Sequence, residues 1–298
     1  MRAGEAPSEA ANGTLRRLTL TVLVDNRVEA RGLCAEHGLS ILLQAEGDFG
    51  EHRLLFDTGQ SGGVLLHNLR ALRVDPGGVR DVVLSHGHYD HTGGLEAFLA
   101  EGMHPPPRVV CHPRLWGGRM RSRPRRRGIG SGLDPAKLRA AGVELVEAEG
   151  PFSLRPGLRT TGGIAPRAAW EKPEGFLREE RGMRVEDEIE DDLGLVADLG
   201  QGGLVLLTGC CHAGLAGLLS QLRRQYGARR IAGIVGGLHL RGVSENRLER
   251  TIAALAREAP SRIYPLHCTG VAEACRLRGA LGESVRFAAV GDQIRFPA

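Results

Sequence analysis

At 298 residues, with 42% hydrophobic and 25% charged side chains, the chain has the composition of an ordinary globular protein with a large core, so function has to be sought in local chemistry. No apolar run approaches the roughly 18–20 residues of a membrane span, and six scattered cysteines (Cys34, Cys111, Cys210, Cys211, Cys268, Cys275) exclude a disulfide framework and fit a reducing compartment. The net charge of +4 is modest and its positive part is nearly all arginine, since Lys137 and Lys172 are the only lysines.

Residues 1–14 (MRAGEAPSEAANGT) are small and polar and lack the apolar stretch of a secretory signal, which predicts a frayed N-terminal tail on a cytoplasmic protein. No Pro/Gly/Ser-rich linker divides residues 15–298, so they are read as one domain. Leucine-rich or β-branched runs at 18–25, 39–45 and 53–57 predict the strands of a meander. Amphipathic spacing then predicts a helix over 64–72, a buried strand over 79–85 and a helix over 92–99. The second half repeats the style, with strands over 204–208, 230–235 and 262–266 and helices over 213–226, 246–256 and 271–281. Strands followed by helices throughout predict an α/β layered protein. Two charged segments, the six arginines of 119–127 (RMRSRPRRR) and the acidic 186–192 (EDEIEDD), read as loops or strand edges.

The strand ending at Ser85 runs directly into His86-Gly87-His88-Tyr89-Asp90-His91. Three imidazoles and a carboxylate thus lie within six residues, and Gly87, Gly93 and Gly94 free the backbone to fold tightly around one point. Imidazole nitrogen and carboxylate oxygen are borderline ligands suited to Zn²⁺, Mn²⁺ or Fe²⁺. The plain alternative is a solvated histidine-rich turn.

This H-x-H-x-D-H pattern followed by a glycine pair resembles the signature of the metallo-β-lactamase superfamily. The resemblance implies a four-layer αβ/βα sandwich with its metals at one edge of the packed sheets, His86 and His88 serving one ion and Asp90 and His91 a second. Histidine at 88, where the redox diiron branch has glutamate, favours hydrolysis. The segments VDN (24–26), AEHGLS (35–40), FDTGQSG (56–62), LSHGHYDHTGGL (84–95), TGCCHAG (208–214), GGLHL (236–240) and LHCTG (266–270) are similar to the subgroup named for dihydropterin-aminobenzene-ribofuranosyl phosphate synthase. By that resemblance His212 completes the first site and His267 the second, each at the end of a predicted strand. Cys210 stands where many members carry a bridging Asp, and is either a thiolate ligand or a small core residue, with Cys211 a weaker candidate. The family's third-motif histidine is not evident, and the pair Asp191-Asp192 occupies roughly its place as a substitute. Asp57 in FDTG supports a ligand histidine by a hydrogen bond, or simply forms a turn. His37 and His239 are substrate contacts or structural hydrogen-bonding groups.

These readings predict a hydrolase with two divalent ions, zinc first with manganese or iron compatible, that uses a metal-activated hydroxide with Asp90 binding metal and orienting the attack. The expected substrate is a small anionic ester, lactone or phosphate-containing molecule, and the arginines of 119–127 are either its capturing rim or a solvated loop. The alternatives are a phosphodiesterase or nuclease, a pterin-cofactor-related synthase, and a non-catalytic metal-binding sensor. Nucleic acid is disfavoured as a partner, because two Trp, three Tyr and seven Phe leave little to stack on bases. No membrane partner is expected, and oligomeric state leaves no trace in the sequence.

Overall fold

The computed structural model describes residues 13–123, 125–165 and 167–298, so most of the expected 1–14 tail lies outside the described residues. In chain order the first part contains β1 (Arg17–Val24), β2 (Ser40–Gly47), β3 (Gly50–Phe56), α1 (Gly62–Ala71), β4 (Val79–Val83), α2 (Tyr89–Thr92), α3 (Leu95–Leu99) and β5 (Arg108–Cys111). The middle contributes β6 (Arg119–Arg121), β7 (Arg127–Gly128), α4 (Pro135–Ala140), β8 (Leu145–Glu147), β9 (Ser153–Arg155), β10 (Leu158–Thr160), β11 (Phe176–Glu180) and β12 (Met183–Glu186). The last part holds β13 (Gly194–Asp198), β14 (Leu204–Thr208), α5 (Leu215–Tyr226), β15 (Ile231–Gly237), α6 (Glu245–Glu258), β16 (Ile263–Leu266), α7 (Val271–Leu281) and β17 (Gln293–Pro297). No helix among the described residues is long and apolar enough to cross a membrane.

Two large sheets run β17-β1-β2-β3-β4-β5-β8 and β16-β15-β14-β13-β10-β9, and a small one runs β12-β11-β6-β7. Side chains on a strand alternate between its faces, so each large sheet buries two sets of residues. One set, including Leu18, Leu20, Leu43, Leu54 and Phe56 from the first sheet and Leu195, Val205, Leu207 and Val235 from the second, forms a shared core between them. The other face of the first sheet (Leu42, Leu55, Val82) packs under Leu65 and Leu69 of α1, Phe98 of α3 and Leu138 of α4. The other face of the second (Leu206, Ile234, Ile263) packs under Leu218 of α5, Leu255 of α6 and Leu277 of α7. The result is the expected helix, sheet, sheet, helix layering.

Parallel pairing decides where function can sit. β3 and β4 run parallel, as do β14, β15 and β16. Their carboxyl ends release the chain into loops that hold Asp57, the His86–His91 cluster, Cys210, His212, His239 and His267, and crevices at such ends are the usual ligand sites of α/β sheets.

The helix expected over 92–99 is instead two short ones, α2 starting inside the cluster at Tyr89 and α3 at Leu95. Gly93 and Gly94 interrupt them because the 58–60 loop passes so close that a Cβ at either would stand 2.2 Å from the Gln60 carbonyl oxygen or 2.1 Å from that of Thr58. The two ends of the arginine-rich segment pair with each other as β6 and β7, with β6 also against β11 and β7 at the edge of the small sheet, so the strand-edge reading holds there. Arg119 is also removed from any rim: it is buried and pairs with Asp191 at 2.7 Å and Asp187 at 3.5 Å, within the acidic segment.

Asp81 on β4 clamps three adjacent strands, accepting bonds from His52 Nε2 of β3 and Arg108 Nε of β5, each at 2.7 Å. Burial alone raises the carboxyl's pKa, but these two partners outweigh it and hold Asp81 below the usual carboxylate range. Asp81→Ala should destabilise the fold by about 2–4 kcal/mol at neutral pH, discounted because Arg108 is partly exposed. Because the folded pKa is depressed, the contribution is present above the unfolded value and lost as pH falls through the folded one. Denaturant melts should therefore show the gap between wild type and variant closing below about pH 4, and a gap independent of pH would contradict the clamp.

Candidate metal centre

The centre starts from a carboxylate in an uncommon backbone position. Asp57 follows β3 with φ 61 and is fully buried. Its Oδ1 accepts the Ser85 N–H at 2.7 Å, and its Oδ2 accepts the Ser85 hydroxyl at 2.7 Å and the His91 Nδ1–H at 2.6 Å. With its proton given to Asp57, the Ser85 oxygen can only accept from His86 Nδ1, 2.9 Å away. Asp57 thus sets His86 through Ser85, and His91 directly, so that each Nε2 faces the interior.

His86 Nε2 lies 2.9 Å from His88 Nδ1, and ligand atoms of His86, His88 and His212 all lie within 4.8 Å of one another. Burial, followed by neighbouring imidazoles or charges, pushes the pKa of each of these three well below the usual histidine range, so they are neutral donors at neutral pH. His88 Nε2 and both nitrogens of His212 are buried without a hydrogen-bond partner. Buried polar atoms are seldom left so, and three clustered neutral imidazoles with unpartnered nitrogens on His88 and His212 are a donor set that a divalent cation satisfies.

His91 Nε2 lies 3.1 Å from Cys210 Sγ, and these two with His86 form a second group. Burial lowers the His91 pKa, but the Asp57 charge and hydrogen bond prevail and raise it to about 9, so a cation bound there displaces a proton. Asp90, His37 and His267 form a third group, the Asp90 Oδ2 lying 3.0 Å from His37 Nε2 and 3.4 Å from His267 Nε2. Asn26 organises it. Its Oδ1 accepts from His267 Nδ1 at 2.8 Å and from the Gly38 N–H at 3.3 Å, while its Nδ2 faces His37 Nδ1 at 3.4 Å. His267 therefore turns its Nε2 lone pair inward, and His37 presents an Nε2 proton to Asp90. Asp25 fixes the backbone at His267, φ 48, by accepting its N–H at 2.7 Å.

His86, His88 and His212 are thus brought together. His91 sits with Cys210, whereas Asp90 and His267 gather around His37. His239 stands beside Cys210 and Cys268, its ring 4.1 Å from that of His212. Cys211 points into the core under α5 and joins none of these groups. Asp191 is no stand-in for a ligand histidine, because Oδ2 accepts the Gly87 N–H at 2.7 Å and Oδ1 is paired with Arg119. Asp192 accepts the Ala213 N–H at 2.7 Å, bracing the loop that carries His212, and burial pushes its carboxyl up to about 7. Asn26, Ser85 and Cys268 were not singled out from sequence, although each adjoins a strand end.

The donors floor a cavity of about 530 Å³. Arg121, Arg123, Arg125, Arg127 and Arg241 line it, with Tyr89, Ile129 and Phe176 on an apolar wall. The Arg121 guanidinium lies 4.2 Å from the centre of the Phe176 ring. Arg121 and Arg127 both line this space, and burial followed by the neighbouring Arg127 lowers the Arg121 pKa.

Comparison with known proteins agrees with this geometry. Residues 36–208 match the sequence profile of the metallo-beta-lactamase superfamily. The chain is 31% identical over 242 residues, 79% of its length and 82% of the relative's, to 7,8-dihydropterin-6-methyl-4-(beta-D-ribofuranosyl)-aminobenzene-5'-phosphate synthase of Methanocaldococcus jannaschii. It is 33% identical over 253 residues, 84% of its length and 90% of the relative's, to an uncharacterized protein of the same organism. A solved structure described as a metal-dependent hydrolase of the beta-lactamase superfamily superposes with a TM-score of 0.80 at 26% identity, over 94% of this chain and 100% of that one.

Replacing Asp57 tests the organisation of the centre. Asparagine tolerates the left-handed backbone but cannot accept from Ser85 and His91 as a carboxylate does. Asp57→Asn should weaken Zn²⁺ binding about 10–100-fold in a chelator competition. Wild-type affinity in a folded variant would contradict the role given to Asp57.

Proposed function

Because the chain belongs to the metallo-β-lactamase superfamily, whose members are generally hydrolases, we propose that it is a metal-dependent hydrolase of small anionic substrates, with phosphate the favoured anionic group. One observation carries this reading: buried imidazole nitrogens without partners form the floor of a cavity whose walls present several arginines.

In this reading His86, His88 and His212 hold one divalent cation, and Asp90, His91 and His267 hold a second with Cys210 beside it. Imidazole with thiolate favours zinc, and imidazole with carboxylate is compatible with manganese or iron. Bound cations would supply Lewis acidity, polarising the scissile carbonyl or phosphoryl group and acidifying a water. The chain's own residues do the rest. Asp57 keeps His86 and His91 in the tautomer that offers Nε2, and Asn26 does the same for His267. Asp90 orients the attacking water, its carboxylate held in place by the His37 Nε2–H, and the leaving group takes its proton from water. The guanidinium forks of Arg121 and Arg127 match phosphate or carboxylate geometry, while Phe176 and Ile129 exclude water from one side.

A second reading is favoured by the same wall. The relative in Methanocaldococcus jannaschii is named for a product that joins aromatic rings to a ribofuranosyl 5'-phosphate, and an arginine stacked on Phe176 suits a phosphate borne near a flat ring. Synthase activity on such a molecule is the alternative to its hydrolysis.

A panel of phosphomonoesters, phosphodiesters, lactones and β-lactams separates these possibilities. Phosphorylated compounds should turn over, and the His86→Ala, His88→Ala double variant should lose turnover and bound cation together. Full turnover by a cation-free double variant would refute the mechanism. Arg121→Gln with Arg127→Gln should raise KM for a phosphorylated substrate about 10-fold at low ionic strength, the effect shrinking as salt is added. An unchanged KM at low salt would remove the arginines from substrate capture.

A further inference from the structure

The centre described so far leaves His239 and Cys268 unused. Together with Cys210 each offers a ligand atom, and the three atoms lie within 4.8 Å of one another. They come from the carboxyl ends of β14, β15 and β16, three neighbouring parallel strands, so the topology itself sets them side by side. The backbone is shaped for this encounter. His239 is held at φ 48, and a Cβ at Gly237 would stand 2.6 Å from Cys268 Sγ and 2.3 Å from the Gly209 carbonyl oxygen, so glycine there makes room for the thiol. His239 Nδ1 is buried without a hydrogen-bond partner. Cys268 Sγ lies 3.6 Å from the Cys210 carbonyl oxygen and is in hydrogen-bonding contact with the Cys210 and His239 side chains.

We propose that Cys210, His239 and Cys268 form a third, thiolate-rich cation site that takes a soft or borderline divalent ion such as Zn²⁺ or Cd²⁺ in preference to Mg²⁺ or Mn²⁺. A zinc ion with bonds of about 2.3 Å to sulfur and 2.0 Å to nitrogen needs donors roughly 3.5–3.8 Å apart, which small side-chain rotations reach from the observed spacing. Binding removes the protons of the two thiols, which pass to solvent through the cavity that both cysteines line. Three protein donors leave the fourth tetrahedral position open to that cavity. Cys210, also 3.1 Å from His91 Nε2, is the thiolate through which this site adjoins the imidazole centre. The inference goes beyond the hydrolase reading and needs no substrate for its test.

The test is a Co²⁺ titration of the metal-free full chain, followed by sulfur-to-cobalt charge-transfer absorption. Wild type should show the band of two thiolates, Cys268→Ser about half of it, and His88→Ala the wild-type band, since that change spares all three donors. A Cys268→Ser band equal to that of wild type would overturn the site. Alkylation of the unaltered chain gives a second readout that no folding defect can mimic. Cd²⁺ should protect Cys268 from iodoacetamide where Mg²⁺ does not, while the exposed Cys34 and Cys275 react in either case. Equal labelling of Cys268 with and without Cd²⁺ would also overturn the proposal. Neither readout involves turnover, so loss of the hydrolase reading would leave this result standing.

Discussion

The buried Asp57 carboxylate, shared between Ser85 and His91, is the interaction on which the rest of the centre depends. It joins the ends of β3 and β4 within one sheet, and through Ser85 it orients His86 as well. The second sheet reaches the same point only because residue 209 is glycine: a Cβ there would stand 2.0 Å from Ser85 Oγ and 2.9 Å from Asp57 Oδ2. That close approach brings Cys210 against His91 and carries the following loop, with His212, toward His86 and His88. One carboxylate and one missing side chain thus bring donors from two sheets into one place.

The arrangement is held at a conformational cost. Asp57, Cys211, His239 and His267 all have left-handed backbones, and they cluster at strand ends around the centre. Strain of this kind costs of order 1–3 kcal/mol per residue and persists only where the surroundings fix it. Here the surroundings are the large core between the sheets and specific bonds such as that from the His267 N–H to Asp25. Much of the fold serves to present imidazoles and thiols in directions a relaxed chain would not choose.

How much of this could be read from the sequence varied with the range of the interactions involved. Strands such as β14 and helices such as α6 announce themselves by apolar periodicity, and the H-x-H-x-D-H cluster by local density of donors. The middle of the chain did not, because β7 is two residues long and β6 three, both arginine-rich, and only their pairing with each other and of β6 with β11 makes them strands. Asn26 acts on His267 across 241 positions, and Asp191 on Gly87 across 104. No spacing rule reveals such bonds, which is why Asp191 resembled a donor and proved to be a brace. The position of His267 was legible as a strand end, but its partners were not.

The central claim is that these donors converge on divalent cations beneath an arginine-walled cavity. Anomalous diffraction from crystals grown with Zn²⁺ and a phosphorylated compound tests it most directly. The account predicts anomalous peaks among His86, His88 and His212 and among Asp90, His91 and His267, with the phosphate facing Arg121 and Arg127. Zinc bound only at surface histidines such as His67, with the buried imidazoles left empty, would contradict it.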